Sequence, residues 1–580
     1  MKTIFNSVPS HKPKRSNFNM SHTRNMTTDI GRLAISCFFP VLPGDVVNGQ
    51  CEQFVRFHPM HAPVMQMLDV YNHWFFVPSR LEWRNWETFI TGGKDGNERP
   101  VYPRLKIKSS YLQKVNWPEV GINNRNLGGP SSLLDYLGFP VADDAHIDVN
   151  NPNLYKGTVI IDLLPLLAYY KIWQYFYADQ NLTDFAFEDD YTFEDGIIDF
   201  DELSVEDKAK ILELFQVRNR CWEKDYFTSA LPFPQRGEDV RLPIQVAGTA
   251  PVVNNEPGNP WKIIGADGRQ GVLGKLYGSD LLQMRSGETD GNSGVFPVQI
   301  DTNNSLRTDL NDVKVGSPTI TEVRRAFSLQ RFLERKAQIG WRYFEYLLGI
   351  WGVKNPDSRL QRPEYLGGGK APVVIGEVLQ TSQTTVGEDG SPLGQMAGRG
   401  VSVAKDNGFK RKFTEYGYVF CIQSIIPRSS YCQGMPRWFN KFDPLEYGNP
   451  YFANIGEQQV SLGELFFDFN QNTEDDADSG LVNGGKNAEL FGYQSRFSEY
   501  KYIPSTFHGD FRGNMSNWHL GRIFKKAPAL NADFVTVHSD ENSRIFNVES
   551  ANGAPVDHLY TQILNKVKIS RCLPYYGTPR

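Results

Sequence analysis

The chain has 580 residues and a formal net charge of −5, so it is not basic as a whole, and any contact with nucleic acid must come from local patches. Hydrophobic residues make up 40% and charged residues 22%, an ordinary balance that excludes a disordered chain. Aromatic residues reach 13%, with 51 Gly and 35 Pro, which suits strands joined by long, turn-rich loops.

Residues 1–35 are polar and irregular. Lys2, Lys12, Lys14, Arg15, Arg24 and Arg32 face a single acid, Asp29. The segment reads as an extended basic arm, without the apolar stretch of a signal peptide. Such cations release counterions when they meet phosphates, and His11, Phe18 and His22 lie among them for stacking on bases. Lys12, Lys14, Arg15 and Arg24 are therefore the candidate DNA-binding residues. The competing reading is an arm that only crosses onto a neighbouring subunit.

Residues 36–100 read as a strand block. From Asp45 to Phe57, Val47, Cys51, Val55 and Phe57 alternate with Asn48, Gln50, Glu52 and Arg56, the period of a half-buried strand. Gln53 and Phe54 break the rule, and a bulge is expected there. Pro59 and Pro63 interrupt the ladder. Trp74, Phe75, Phe76 and Val77 are apolar on both faces, as in a strand covered from both sides. Residues 101–157 are rich in Gly, Asn and Pro and read as loop. The run from Val159 to Tyr177 is interrupted by Asp162, Pro165, Lys171 and Gln174, so a buried helix at about 163–177 is expected rather than a membrane span.

Twelve acids and no Lys or Arg lie between Asp179 and Asp207. Asp195, Gly196 and Glu202 match part of a calcium loop, but Tyr191 and Phe193 stand at its first two ligand positions, and a solvated acidic loop is the better reading. Ser204 with Asp207 forms a capping signature, opening a helix with Ile211, Leu212 and Phe215 on one face. Residues 235–315 are dominated by Gly, Asn, Asp and Pro, with short strand-like pieces such as Val295 to Ile300, and read as a large surface insertion. Thr319 with Glu322 opens another helix. Val323, Ala326, Phe327, Leu333, Ala337, Phe344 and Leu347 follow helical spacing and make it the longest of the chain. Strands then return. Tyr416 to Gln423 alternates, Phe466 to Phe469 and Tyr500 to Ile503 read as further strand pieces, and Leu559 to Ile569 as a strand or short helix.

No pattern suits catalysis or a resident cofactor. Gly367-Gly368-Gly369-Lys370 has Glu364 and Ala371 where a phosphate loop needs Gly and Ser or Thr. His58 and His61 have no further zinc ligands nearby. His508 with Asp510 has no nucleophile to complete a triad. The six cysteines form no CxxC pair and are expected as free thiols.

Pro59 to Met65 (PMHAPVM), Phe75 to Trp83 (FFVPSRLEW) and Trp86 to Gly93 (WETFITGG) resemble the major capsid protein of the Microviridae, small phages with single-stranded DNA, and within them the gokushovirus branch. Arg220 to Pro234, Arg335 to Val353, Asp357 to Gly368, Gln380-Thr381-Ser382 and Tyr431 to Phe439 extend the likeness in one order over most of the chain. The resemblance implies a mainly β fold over residues 36–580, an eight-stranded antiparallel jelly roll. Helical inter-strand regions at about 155–230 and 316–355 and a protruding insertion at about 230–315 would interrupt it. It also implies a homo-oligomer, a T=1 icosahedral shell around circular single-stranded DNA. Further implied partners are an internal scaffolding protein, a DNA pilot protein, a small basic DNA-binding protein and a host surface receptor, reached through a threefold protrusion. The chain would reside in the virion, and in the host cytoplasm during assembly. A carbohydrate-binding or carbohydrate-cleaving β-sandwich is the alternative, because aromatic, Asp-rich surfaces hold sugars and glycosidases need paired carboxylates. The series of motifs argues against it.

Overall fold

The computed structural model describes residues 14–576, with omissions at 142–155, 380–395, 470–484 and 547–555, at a few shorter stretches (113, 118–121, 239, 340–341, 353, 355, 406–407), and between 241 and 318 outside a series of short strands. Lys12, the motif at 380–382 and most of Gly271 to Leu282 lie outside the described residues. Two compact units are present, Met1–Pro234 with Lys336–Arg580, and Gln235–Arg335.

The larger unit is mainly β, with nearly all its strands antiparallel. Its principal elements are β1 (Ser16–Asn19), β2 (His22–Thr28), β3 (Ala34–Val41), β4 (Val46–Phe57), β5 (Leu68–Pro78), α1 (Leu164–Phe176) and α2 (Val205–Leu214). After the insertion come α3 (Ile320–Ile339), α4 (Tyr343–Trp351), β6 (Glu364–Pro372), β7 (Val374–Leu379), β8 (Met396–Lys405), β9 (Phe409–Lys412), β10 (Gly417–Pro427) and β11 (Leu559–Arg571). One sheet has seven strands in the order β1–β11–β4–β8–β7, with β2 also on β11 and β9 also on β4. The other has four, β6–β5–β10–β3.

The two sheets share a core. Cys37, Phe39, Trp74, Phe76, Val419 and Cys421 of the four-stranded sheet meet Val47, Cys51, Ile563 and Val567 of the seven-stranded one. Each such side chain contributes roughly 1.5–3 kcal/mol by leaving water. The alternation in β4 runs unbroken, and Gln53 sits on the inward face. No bulge forms there, contrary to the sequence expectation. Gln53 fits among apolar neighbours because its carbonyl accepts from Asn72 of β5 and from Gln423 of β10, at 3.1 Å for the latter. A buried amide that finds partners does not need to leave the ladder. All six cysteines are free.

The back of the four-stranded sheet carries a second core. Phe75, Val77, Phe420 and Ile422 pack there with Leu164, Leu167, Ala168 and Ile172 of α1. This is the two-sided cover expected of Trp74 to Val77. Pro165 falls in the first turn of α1, where no helical N–H partner is lost. α1 is buried nearly all round, and the Lys171 ammonium donates to the Leu81 carbonyl at 2.5 Å. No helix among the described residues is long and apolar enough to cross a membrane.

Several expectations are corrected. Residues 16–28 are not an irregular arm, because β1 and β2 pair with β11, Phe18 opposite Ile569 and Thr23 opposite Leu564. Their polar composition hid this, since an edge strand turns only a few residues such as Met26 towards the core. Residues 101–157 hold strands at Arg104–Lys108, Lys114–Trp117 and Ile122–Asn126 and a helix at Leu133–Leu137. Helix α2 starts as expected, with Asp207 N–H donating to Ser204 Oγ at 3.1 Å. The single long helix expected after Thr319 is two, α3 and α4. Arg342 explains the break. It is buried in extended backbone before α4, and its guanidinium donates to the carbonyls of Gln174 (2.8 Å) and Tyr175 (3.3 Å). Residues 466–469 and 500–503 are not strands. Phe469, Tyr500 and Tyr502 lie at the surface, Phe469 being 86% exposed. Leu559 to Ile569 belongs to the strand β11.

The smaller unit is not structureless. Gln245 pairs with Gly316, Val252 with Thr308 and Ile264 with Gln299, so the outgoing and returning legs of the insertion pair with each other. At its far end Lys262–Gly265, Gln270–Gly274, Gln283–Arg285 and Val298–Gln299 form a four-stranded sheet.

Candidate functional surfaces

The basic residues singled out near the N-terminus do not converge. Lys14 is exposed. Arg15 is also exposed, but its guanidinium donates to the Gly44 carbonyl. Arg24 turns inward at the sheet edge, opposite the core residue Ile563, and donates to the Tyr136 carbonyl. Burial pushes its pKa down. Arg24 thus fastens β2 to the segment that carries Tyr136.

The outer face of the seven-stranded sheet gathers cations that sequence reasoning missed. Odd positions of β4 point inward, and even positions carry Asn48, Gln50, Glu52, Phe54 and Arg56 outward. The register brings Lys568 and Lys410 to either side of Asn48, Lys566 opposite Gln50, Lys405 opposite Glu52 and Tyr560 opposite Arg56. Lys405, Lys410, Lys412 and Lys568 are exposed. Among the described residues none of these four forms an ion pair. Lys566 pairs with Glu52 at 2.6 Å and holds that carboxyl below its usual range. The signal was present as Lys566/Lys568 and Lys410/Lys412, each pair at the two-residue spacing of one strand face.

A second surface is aromatic. Trp438, Phe439, Phe442, Tyr447, Tyr451, Tyr502 and Ile503 are all exposed, Tyr451 by 91% and Phe439 by 64%. Trp438, Phe439, Tyr502 and Ile503 line a pocket of about 320 Å³, with Phe227 and Tyr431 also in its wall. Exposed apolar patches of this size are a common mark of interaction sites in folded proteins. This one rests on a rigid base. Lys441, in an ion pair with Glu499 at 2.5 Å, is buried together with its partner and lies 3.9 Å from the Tyr500 ring centre. Burial pushes the Glu499 carboxyl up, but hydrogen bonds from Gln458 and Lys441 outweigh this and hold it below the ordinary range. Arg437 pairs with Glu464 at 3.0 Å, and Tyr226 donates to the same carboxylate at 2.8 Å.

The acidic segment is largely structural. Asp195 accepts from Trp83 Nε1 (2.8 Å) and Asn85 Nδ2 (3.0 Å). Asp199 and Asp201 pair with Lys106 and Lys108 at 2.8 and 3.0 Å. Asp179 pairs with Lys224. No group of three metal-ligating side chains occurs among the described residues. His508 bonds to Thr506 Oγ1 (2.9 Å) and Arg512 (3.1 Å). Gly367 to Lys370 lie within β6, where Lys370 meets Asp69 at 2.8 Å.

A family model described as Capsid protein (F protein) matches residues 6–580. The capsid protein VP1 of Chlamydia phage 1 is 30% identical over 592 residues, covering 92% of this chain and 91% of that protein. VP1 of Bdellovibrio phage phiMH2K is 30% identical over 545 residues, covering 92% of this chain and 89% of its own length. VP1 of Spiroplasma virus 4 is 26% identical, covering 98% of this chain and 96% of its own length.

Proposed function

Because the chain belongs to the capsid protein (F protein) family of the Microviridae, we propose that its copies close into a T=1 icosahedral shell around circular single-stranded DNA. It is a major capsid protein, and its relatives are structural proteins rather than enzymes. The observation that carries the proposal is the family match over residues 6–580, which spans both sheets and the aromatic surface.

We read the sandwich as an eight-stranded jelly roll. Counting β1 with β2, β6 with β7, and β8 with β9 as single strands leaves eight. The first then pairs with the eighth, the second with the seventh, the third with the sixth and the fourth with the fifth. A long antiparallel ribbon wrapped across itself has this pairing.

Shell contacts form through the aromatic surface around Trp438 and Tyr451. Exposed aromatics on a rigid base supply large contact area at low entropic cost, and a second copy of the chain is their partner. Lys12, Lys14 and Arg15 lie near the genome, with Arg24 as an anchor. The insertion at about 230–315 forms a protrusion at the threefold axes and engages a host surface receptor. An internal scaffolding protein, a DNA pilot protein and a small basic DNA-binding protein complete the assembly, which takes place in the host cytoplasm and ends in the virion.

The test is co-expression with the scaffolding protein and imaging by electron cryomicroscopy. Closed particles of one diameter are expected. A chain that stays monomeric under every assembly condition overturns the proposal.

A further inference from the structure

We propose that the outer face of the seven-stranded sheet is a binding platform for the sugar–phosphate backbone of single-stranded nucleic acid, centred on Lys410, Lys412 and Lys568. The inference rests on the reading of the chain as the shell of a single-stranded genome. It moves the main contact from the N-terminal segment to the sheet.

Four observations converge. The first is segregation of charge. In a chain of net charge −5, this face carries Arg56, Lys405, Lys410, Lys412, Lys566 and Lys568, while its β4 strand brings one acid, Glu52, already engaged by Lys566. The second is spacing. Lys568, Asn48 and Lys410 stand side by side on β11, β4 and β9, so the two ammonium stems rise about 10 Å apart across the sheet. Lys410 and Lys412 repeat along one strand at about 7 Å. A grid of cations at that spacing suits a flexible chain of single charges better than one compact anion. The third is chemistry between the cations. Asn17, Asn48 and Gln562 offer neutral amides for sugars and base edges, and Tyr560, 40% exposed, offers a ring for a base. The fourth is rigidity. β4 pairs with β11 over twelve successive residues, so the grid is fixed before ligand arrives.

The rival occupant is a second copy of the chain. The same face of another copy would oppose cation to cation. Among the described residues, the acidic stretch 179–207 has already committed Asp179, Asp199 and Asp201 to its own lysines. Charge complementarity therefore favours a polyanion.

Two measurements test this. In the first, assembled shells carrying Lys410→Gln, Lys412→Gln and Lys568→Gln are compared with wild type and with a control carrying Lys94→Gln, Lys525→Gln and Lys526→Gln. With an oligothymidylate probe on opened shells, the triple variant is expected to lose at least tenfold in affinity at low salt. The slope of log affinity on log salt should shrink by about 2, from roughly 0.7 per lost phosphate contact. The control should change neither. Unchanged affinity and slope in the triple variant overturn the proposal. The second measurement needs no substitution. Amine-reactive labelling of wild-type shells, read by mass spectrometry, is expected to find these three lysines protected in genome-filled shells and labelled in empty ones. Protection in both states means that the face is buried between copies, and labelling in both means that it faces away from the genome. Either result overturns the platform while leaving shell formation intact.

Discussion

Strand β5, in the four-stranded sheet, buries ten of its eleven positions, whereas β4, in the seven-stranded sheet, buries six of twelve. The difference lies in what stands behind each sheet. Helix α1 and its neighbours cover the back of one, and the back of the other meets solvent along β4 and β11. A strand enclosed on both sides is constrained at every residue, so its sequence answers only to packing. A strand enclosed on one side has half its positions free for charge. The molecule thereby separates stability from interaction, residue by residue, within one sandwich.

That separation can be broken most directly at Trp74. It is fully buried between the sheets, with its ring 5.2 Å from that of Phe409. Trp74→Ala is expected to cost about 3–5 kcal/mol in urea denaturation of the unassembled chain. Tyr560→Ala, on the open face, is expected to stay within about 0.5 kcal/mol. Similar losses at the two positions would mean that the open face is a second core.

The pH dependence gives a smaller and more selective test. His73 lies on the covered side of β5, bonded to the Tyr177 hydroxyl at 2.8 Å. Burial, helped by the Arg220 cation, pushes its pKa down to about 4. An unfolded histidine titrates near 6.5, so between pH 6.5 and 4 the unfolded chain binds the extra proton. Stability is therefore expected to fall as pH drops through that window, by about 3 kcal/mol in full, and to level off below it. His73→Gln should remove this part of the acid slope, measured as the urea midpoint against pH. An unaltered slope in the variant would show that His73 titrates normally.

The smallest of the three effects concerns the amides between the sheets. Gln53→Leu leaves the amide groups of Asn72 and Gln423 without their shared acceptor and is expected to cost about 1–3 kcal/mol. Adding Asn72→Leu and Gln423→Leu should recover much of that loss. A single variant as stable as wild type would mean that the cluster contributes nothing to pairing the sheets.

Much of this was legible in the sequence where packing alone sets the pattern. The doubly apolar run Trp74 to Val77, the alternation of β4 and the capping pair Ser204 and Asp207 each declare a local structure. The failures arose where a residue answers to something distant. Gln53 looked like a break because its partners lie 19 and 370 residues further along. Arg342 gave no sign that it would split a helix to reach the end of α1. β1 and β2 looked like an arm because their partner strand is β11. The cations show the same limit: Arg15 and Arg24, close in one segment, bond to backbone carbonyls, whereas the sheet register brings Lys410 and Lys568 together from far apart.

Phe57 of β4 pairs with Leu559 of β11, and roughly 500 residues of chain separate them. At translation rates of 5–20 residues per second, that interval lasts roughly 25–100 s. Throughout it, β4 lacks the strand that joins it to β1 and β2, and the outer face of that sheet does not exist as a continuous surface. An unfinished chain also presents open strand edges, which are prone to pair with other chains. The order of synthesis thus acts as a clock. Copies still attached to ribosomes on one messenger lack the completed sheet, so only finished chains present both faces of the sandwich whole.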